Sequence, residues 1–227
     1  MPAAVAIAES LRIPAAAATF EGFRKWCRSQ AFPETGRIDY LAGEVEVDMS
    51  PEDLHTHGIV KVAFTAALHA LVTAQDLGEV FADSTRITSP LARLSAEPDV
   101  VVVLWASLQA GRVRYLPAAG KGPDRYTEIE GAPDIVVEVV SDSSVRKDTR
   151  RLPPLYAQAG IPELWIADTR GRNLHFDIRV LEGEAYVSRA ADIDGWVRSE
   201  RLGVLVRLAR RRTPLATWRY LLEHRAS

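Results

Sequence analysis

The densest apolar runs lie at residues 100–104 (VVVVL), 135–140 (IVVEVV) and 164–167 (LWIA). Unbroken, β-branched runs of this length predict strands covered on both faces, not the alternating pattern of a sheet with one wet side. Residues 141–151 between the second and third runs are polar and basic. A short helix is predicted from Pro153 and Pro154, carrying Leu155, Tyr156 and Ala159 and stopping at Gly160. Buried strands joined through a helix imply a sheet sandwiched between other layers.

The remaining pattern places this unit in a larger fold. Residues 19–29 hold Phe20, Phe23, Trp26 and Cys27 at helical spacing behind Thr19, a plausible cap. Residues 37–49 read as a hairpin bending at Ala42 and Gly43. Ser50, Pro51 and Asp53 signal the start of a helix. Its apolar stripe is Val60, Phe64, Ala67, Leu68 and Leu71; His57, Lys61, Thr65 and His69 form a polar stripe. A strand is predicted at 78–88, a loop at 90–96, and a Gly-rich excursion with its own small hairpin at 105–131. Residues 173–180 and 185–188 alternate like a peripheral antiparallel pair. Residues 203–212 are apolar and then basic, and 213–224 predict a closing helix. The fold class is α/β: a mixed central sheet in αβββαβ order, flanked by helices, with an extra N-terminal helix and hairpin. Residues 1–18 are Ala-rich and expected to be loose; 19–227, without repeat or linker, are expected to form one domain.

Composition narrows the function classes. Hydrophobic residues make up 47% of 227, enough for a large core, and the net charge of −2 argues against a broad, non-specific nucleic-acid surface while permitting a local basic one. The lone Cys27 allows neither an internal disulfide nor a thiolate cluster, as in a reducing compartment. No apolar run is expected to span a membrane, and the first ten residues carry Glu9 and no basic start, unlike a secretory signal. The expected address is the cytoplasm.

Candidate chemistry centres on two acids. Asp99 opens one apolar run and Glu138 interrupts another. A carboxylate within a covered strand is costly unless a positive partner meets it. If the strands are neighbours, the pair can share a hard divalent cation; the plain alternative is a strand-turn cap at Asp99 and a salt-bridged Glu138. Asp134 is a poor partner for Glu138, because four residues of strand separate them by ~13 Å.

The segments GRIDYLAGEVEVDMSPEDLHTHG, EPDVVVV and PDIVVEVVSDSSVRKDTRRLPPLYAQAGIPELWIAD resemble the Uma-type family of bacterial endonucleases, within the PD-(D/E)XK nuclease superfamily, over roughly residues 19–200. The resemblance implies a restriction-endonuclease-like fold and Mg²⁺-dependent phosphodiester hydrolysis (Mn²⁺ as a substitute), with nucleic acid, DNA first, as partner. Asp99 and Glu138 match the two motif acids, and the carbonyl of Val139 would complete the metal set. The third motif position should be Lys but is Val140. Lys147 is the candidate replacement, with Arg146, Arg150 and Arg151 as phosphate contacts, since arginine is poor at proton transfer. Glu46 falls where a further acid near the metal is expected, and His57 is placed to reach a phosphate or water. Tyr156, Trp105 and Trp165 read as packing, and Arg207, Arg210, Arg211 and Arg212 as either backbone contacts or a solvated tail. Cutting both strands of a duplex would favour a homodimer, although no interface signature is visible. The missing Lys keeps open a nuclease-fold binding module that cleaves nothing.

Overall fold

The computed structural model describes residues 11–33, 35–118 and 124–227. Its elements run α1 Phe20–Cys27, β1 Arg37–Leu41, β2 Glu44–Asp48, α2 Ile59–Ala74, β3 Gly78–Ala82, β4 Arg86–Ser89, β5 Leu94–Ala96, β6 Val100–Leu104, α3 Trp105–Gln109, β7 Val113–Pro117, β8 Tyr126–Gly131, β9 Ile135–Val139, α4 Leu152–Ala159, β10 Glu163–Asp168, β11 His175–Glu182, β12 Ala185–Ser188, β13 Val197–Ser199, β14 Val204–Arg212 and β15 Trp218–Ala226. Among the described residues the strands form three sheets, ordered β2-β1-β5-β4-β8-β7, β12-β11-β10-β9-β6-β3 and β13-β14-β15.

The second sheet is the centre. β9 pairs antiparallel with β6 and parallel with β10, so the sheet is mixed, as the sequence predicts. The residues of β6 and β9 are buried throughout because both faces are covered there. On one face Val100, Val102, Val137 and Trp165 pack against Val60, Phe64 and Leu68 of α2 and against Val206 and Leu222 of the third sheet. On the other, Val101, Val136, Val140 and Ile166 meet Leu152 and Tyr156 at α4 and Ile87 and Leu94 of the first sheet. A smaller cluster, Phe20, Phe23, Trp26, Ile38 and Tyr40, seats α1 on the first sheet.

Local chemistry sets the element ends. The β1–β2 hairpin bends at Ala42 and Gly43, with φ of 52° and 109°, where glycine removes the penalty of a left-handed residue. Gly160 stops α4 in the same region, at φ 80°.

Several expectations are corrected. The predicted strand at 78–88 is two strands in different sheets, because Asp83 and Ser84 turn the chain at φ 45° and 48°. The predicted loop at 90–96 ends in β5. The cap before α2 is Asp53, not Ser50: its carboxylate accepts from the N–H groups of His55 (2.9 Å) and Thr56 (2.6 Å), leading a π-helical turn, Leu54–Gly58. The predicted C-terminal helix is β15, paired along its whole length with β14. Residues 54–74 form one helical stretch of mean hydropathy 1.4, long and apolar enough by composition to cross a membrane, contrary to expectation. Its apolar stripe is nevertheless the core face just described. Of the Ala-rich start, residues 1–10 lie outside the described residues; Ala15–Ala18 form a 3₁₀ turn that buries Ala17.

Phe64 is fully buried, with ring centroids 6.4 Å from Trp165 and 5.6 Å from Phe176. Phe64→Ala is expected to remove about 3–5 kcal/mol of stability, read as a lower denaturation midpoint at unchanged slope in urea.

Candidate functional site

Val100 lies opposite Val137 in the β6–β9 ladder, so Asp99 falls opposite Glu138. Directly opposed residues share a face, and this is the face of Val101 and Val136, under α4. The two acids are therefore brought together. The N–H of Val139 donates to Asp99 Oδ2 at 2.7 Å, which ties the carboxylate to the neighbouring strand. One step further along the ladder, Val139 faces Pro98. Proline has no N–H, so the ladder makes no claim there on the Val139 carbonyl, which points the same way as its N–H.

Cations surround the acids. Arg37 Nη2 lies 2.8 Å from Asp99 Oδ1, and His57 Nε2 lies 3.4 Å from Oδ2. His57 Nδ1 faces Glu52 at 3.6 Å. Lys147 opens the turn before α4; its Nζ is buried and bonded to Asp39 Oδ2 at 3.1 Å. Tyr156 donates to Glu138 Oε1 at 2.5 Å, so it serves the site as well as the core. Position 140 points to the same face as Glu138 but sits in the apolar cluster. A lysine there would be buried among Leu152 and Ile166, whereas Lys147 enters from the following turn. Glu46 lies opposite Asp39 in the hairpin, and its carboxylate is bound by Arg151 rather than turned to Asp99. Asp134 is a buried structural acid at the other end of β9, accepting from the Leu104 N–H and from Ser107.

Sequence reasoning passed over Arg37, Asp39 and Asp148. Alternation in β1 carries a signal for the first two, since Arg37, Asp39 and Leu41 share one face and Ile38 and Tyr40 the other. Asp148 is the one acid within the run VRKDTRR. It is buried, accepts from the Ser144 hydroxyl, and leaves Oδ1 without a hydrogen bond among the described residues. A cavity of about 370 Å³ opens above, lined among others by Arg37, His57, Glu97, Ser141 and Ser143. Asp99 and Glu138 lie behind Arg37 and His57, not on the cavity wall.

The electrostatics separate the two acids. Burial alone would raise the Asp99 pKa, but His57, Arg37 and the Val139 N–H outweigh it and hold the carboxylate well below its usual range. Burial raises Glu138 well above its usual value, and the nearby Asp148 and Asp99 charges add to this. Burial likewise pushes Asp148 up to about 7. For Lys147 burial works downward, but Asp39 wins and keeps the ammonium charged. Two neighbouring carboxyls are thus held in opposite directions, one low and one high, a pattern that clusters at functional sites.

Among the described residues no three His, Cys, Asp or Glu side chains converge as a ready-made metal cage. Two carboxylates and a ladder-free carbonyl are nonetheless an all-oxygen donor set, which suits a hard cation such as Mg²⁺ and not a soft one.

A family model, Uma2, described as "Putative restriction endonuclease", matches residues 20–209. Among solved structures the chain is similar to one titled as a putative nuclease belonging to DUF820 from Anabaena variabilis. That likeness has a TM-score of 0.59 at 16% identity and covers 81% of this chain and 90% of the other. It supports the fold. No curated protein matches.

A raised carboxyl pKa favours the fold while the group stays protonated, so its contribution is complete below the unfolded value and is lost as pH rises toward the folded one. Glu138→Gln removes that loss. The melting temperature of Glu138→Gln is expected to exceed that of the wild type by a margin that widens by about 3 °C or more between pH 5.5 and 8 in metal-free buffer. A constant margin would mean that Glu138 is not held neutral.

Proposed function

The chain belongs to the Uma2 family, described as putative restriction endonucleases, and from that premise we propose that it is a Mg²⁺-dependent endonuclease hydrolysing phosphodiester bonds of DNA. The observation that carries this reading is the pairing of Asp99 with Glu138 on one face of the β6–β9 ladder, with the half-buried Arg37 on Asp99 and the buried Lys147 close by.

Asp99, Glu138 and the carbonyl of Val139 would hold the cation. When bound, Mg²⁺ would supply charge neutralisation at the phosphate and a water of lowered pKa. The other roles belong to the chain. Asp39 orients Lys147 so that its ammonium meets negative charge developing near Glu138. Tyr156 fixes the Glu138 carboxyl by its hydroxyl. Arg37 and His57 stand between the acids and the cavity, where a phosphate offers each an alternative to Asp99. Glu46 acts at one remove, by holding Arg151 of the basic turn.

A second reading, binding of nucleic acid without cleavage, draws on one specific feature: both oxygens of Asp99 are already engaged, one by Arg37 and one by the Val139 N–H. Plasmid cleavage in Mg²⁺, Mn²⁺ or EDTA separates the two. Asp99→Asn, Glu138→Gln and Lys147→Ala are each expected to lower the Mg²⁺-dependent rate by about 10²–10³-fold, with Glu138→Gln still folded by its melting curve. Cleavage equal to the wild type in all three would remove these residues from the chemistry. Calorimetry without any Mg²⁺ or Mn²⁺ binding would favour the second reading.

A further inference from the structure

The third sheet ends in a cationic arm. β14 and β15 pair from Val204–Ala226 to Arg212–Trp218. Their inward residues Val206, Leu208, Tyr220 and Leu222 join the core, and Trp218, in the last pair of the ladder, packs against its margin. There Arg210 and Arg212 lie on one face and Arg211 and Arg219 on the other. In the proximal part of this sheet arginines are neutralised: Arg207 pairs with Glu223 at 2.6 Å, and Arg225 with Asp192 at 3.5 Å. At the distal end, among the described residues, no carboxylate reaches Arg210, Arg211, Arg212 or Arg219. Arg210 and Arg212 are instead stacked on Trp218, their guanidinium carbons 4.3 and 3.9 Å from the ring centroid. Stacking orients a guanidinium without cancelling its charge.

Arg211 stands directly opposite Arg219, and both are exposed. Like charges opposed across a ladder destabilise it. In a chain of net charge −2, Arg211 and Arg219 make no side-chain hydrogen bond or ion pair among the described residues, so nothing there offsets their repulsion. The arm also points to the same end of the molecule as the site. Arg210 donates to the carbonyl of Arg172 in the loop after β10. In that loop Thr169 donates to the carbonyl of Thr56 at 2.8 Å, next to His57, and Arg170 pairs with Asp142 at 3.0 Å, between cavity residues Ser141 and Ser143. A two-stranded ribbon is also of a size that the major groove of duplex DNA admits.

We infer that the distal end of the β14–β15 ribbon is a phosphate-backbone contact for duplex DNA, gripping it beside the cleavage site. This rests on the nuclease reading and adds to it a surface outside the acid site. The test is anisotropy of a labelled duplex in EDTA, which prevents cleavage, between 50 and 200 mM NaCl. The wild type is compared with Arg211→Ser/Arg219→Ser and Arg211→Lys/Arg219→Lys. The serine pair is expected to melt no lower than the wild type, to bind about ten- to hundredfold more weakly at 100 mM salt, and to lower the slope of log K against log salt by about 2; the lysine pair keeps the slope. Equal affinity and slope in the serine pair, with wild-type binding intact, overturn the arm alone. A changed sedimentation mass in the serine pair also overturns it, by making the arm a protein interface. A wild type that binds single strands only overturns the duplex assignment, and one that binds no nucleic acid overturns the nuclease reading as well.

Discussion

One hydrogen bond organises the site: the Val139 N–H to the buried carboxylate of Asp99. The side chain of Asp99 satisfies this buried backbone donor, tying the end of β6 to β9. The consequence is geometric. A carboxylate is fixed at the end of a covered, apolar strand, level with Glu138, and cannot retreat to water. Every other polar group nearby answers that constraint. Arg37 and His57 meet Asp99, Tyr156 meets Glu138, and Lys147 is held at hand by Asp39. Breaking such a network by removing one partner costs far more than the network contributes, because it leaves a bare charge in the core.

Much of this was legible along the chain. The apolar runs named the central strands, and a single acid in each named the pair, because an unpaired carboxylate in a covered strand needs an explanation. Lys147 was named only through the family resemblance, which implies a lysine that position 140, a valine, does not supply. Arg37, Asp39 and Asp148 were harder to see. Their roles depend on a hairpin and a turn, distant in sequence, closing over the end of β9, and burial of Asp39 and Asp148 cannot be read from polar residues in segments that look solvated. Tyr156 was read as packing because its ring is packed; only its hydroxyl belongs to the site. The C-terminal segment was misread for another reason. Residues 218–224, WRYLLEH, have good helix propensity, and pairing with β14 overrides it.

The same sandwich links site and arm. His57 sits in the π-helical turn that leads into α2, and the apolar stripe of α2 touches both the central sheet and the third sheet. The loop after β10 touches Thr56 at one end and Arg210 at the other. Acid site and ribbon are thus held at one end of the molecule by the core and not by flexible connections.

That arrangement divides the electrostatic labour. Cations at the acid site are nearly all paired within the protein, so they are poorly available for attracting a polyanion from solution. Arginines at the end of the ribbon are oriented by an aromatic ring and left uncompensated. A mildly acidic protein can therefore meet a polyanion through one local surface while keeping its buried acids in a site of nearly balanced charge. The cationic end of the arm repels itself when alone, and a phosphate backbone laid along it removes that repulsion.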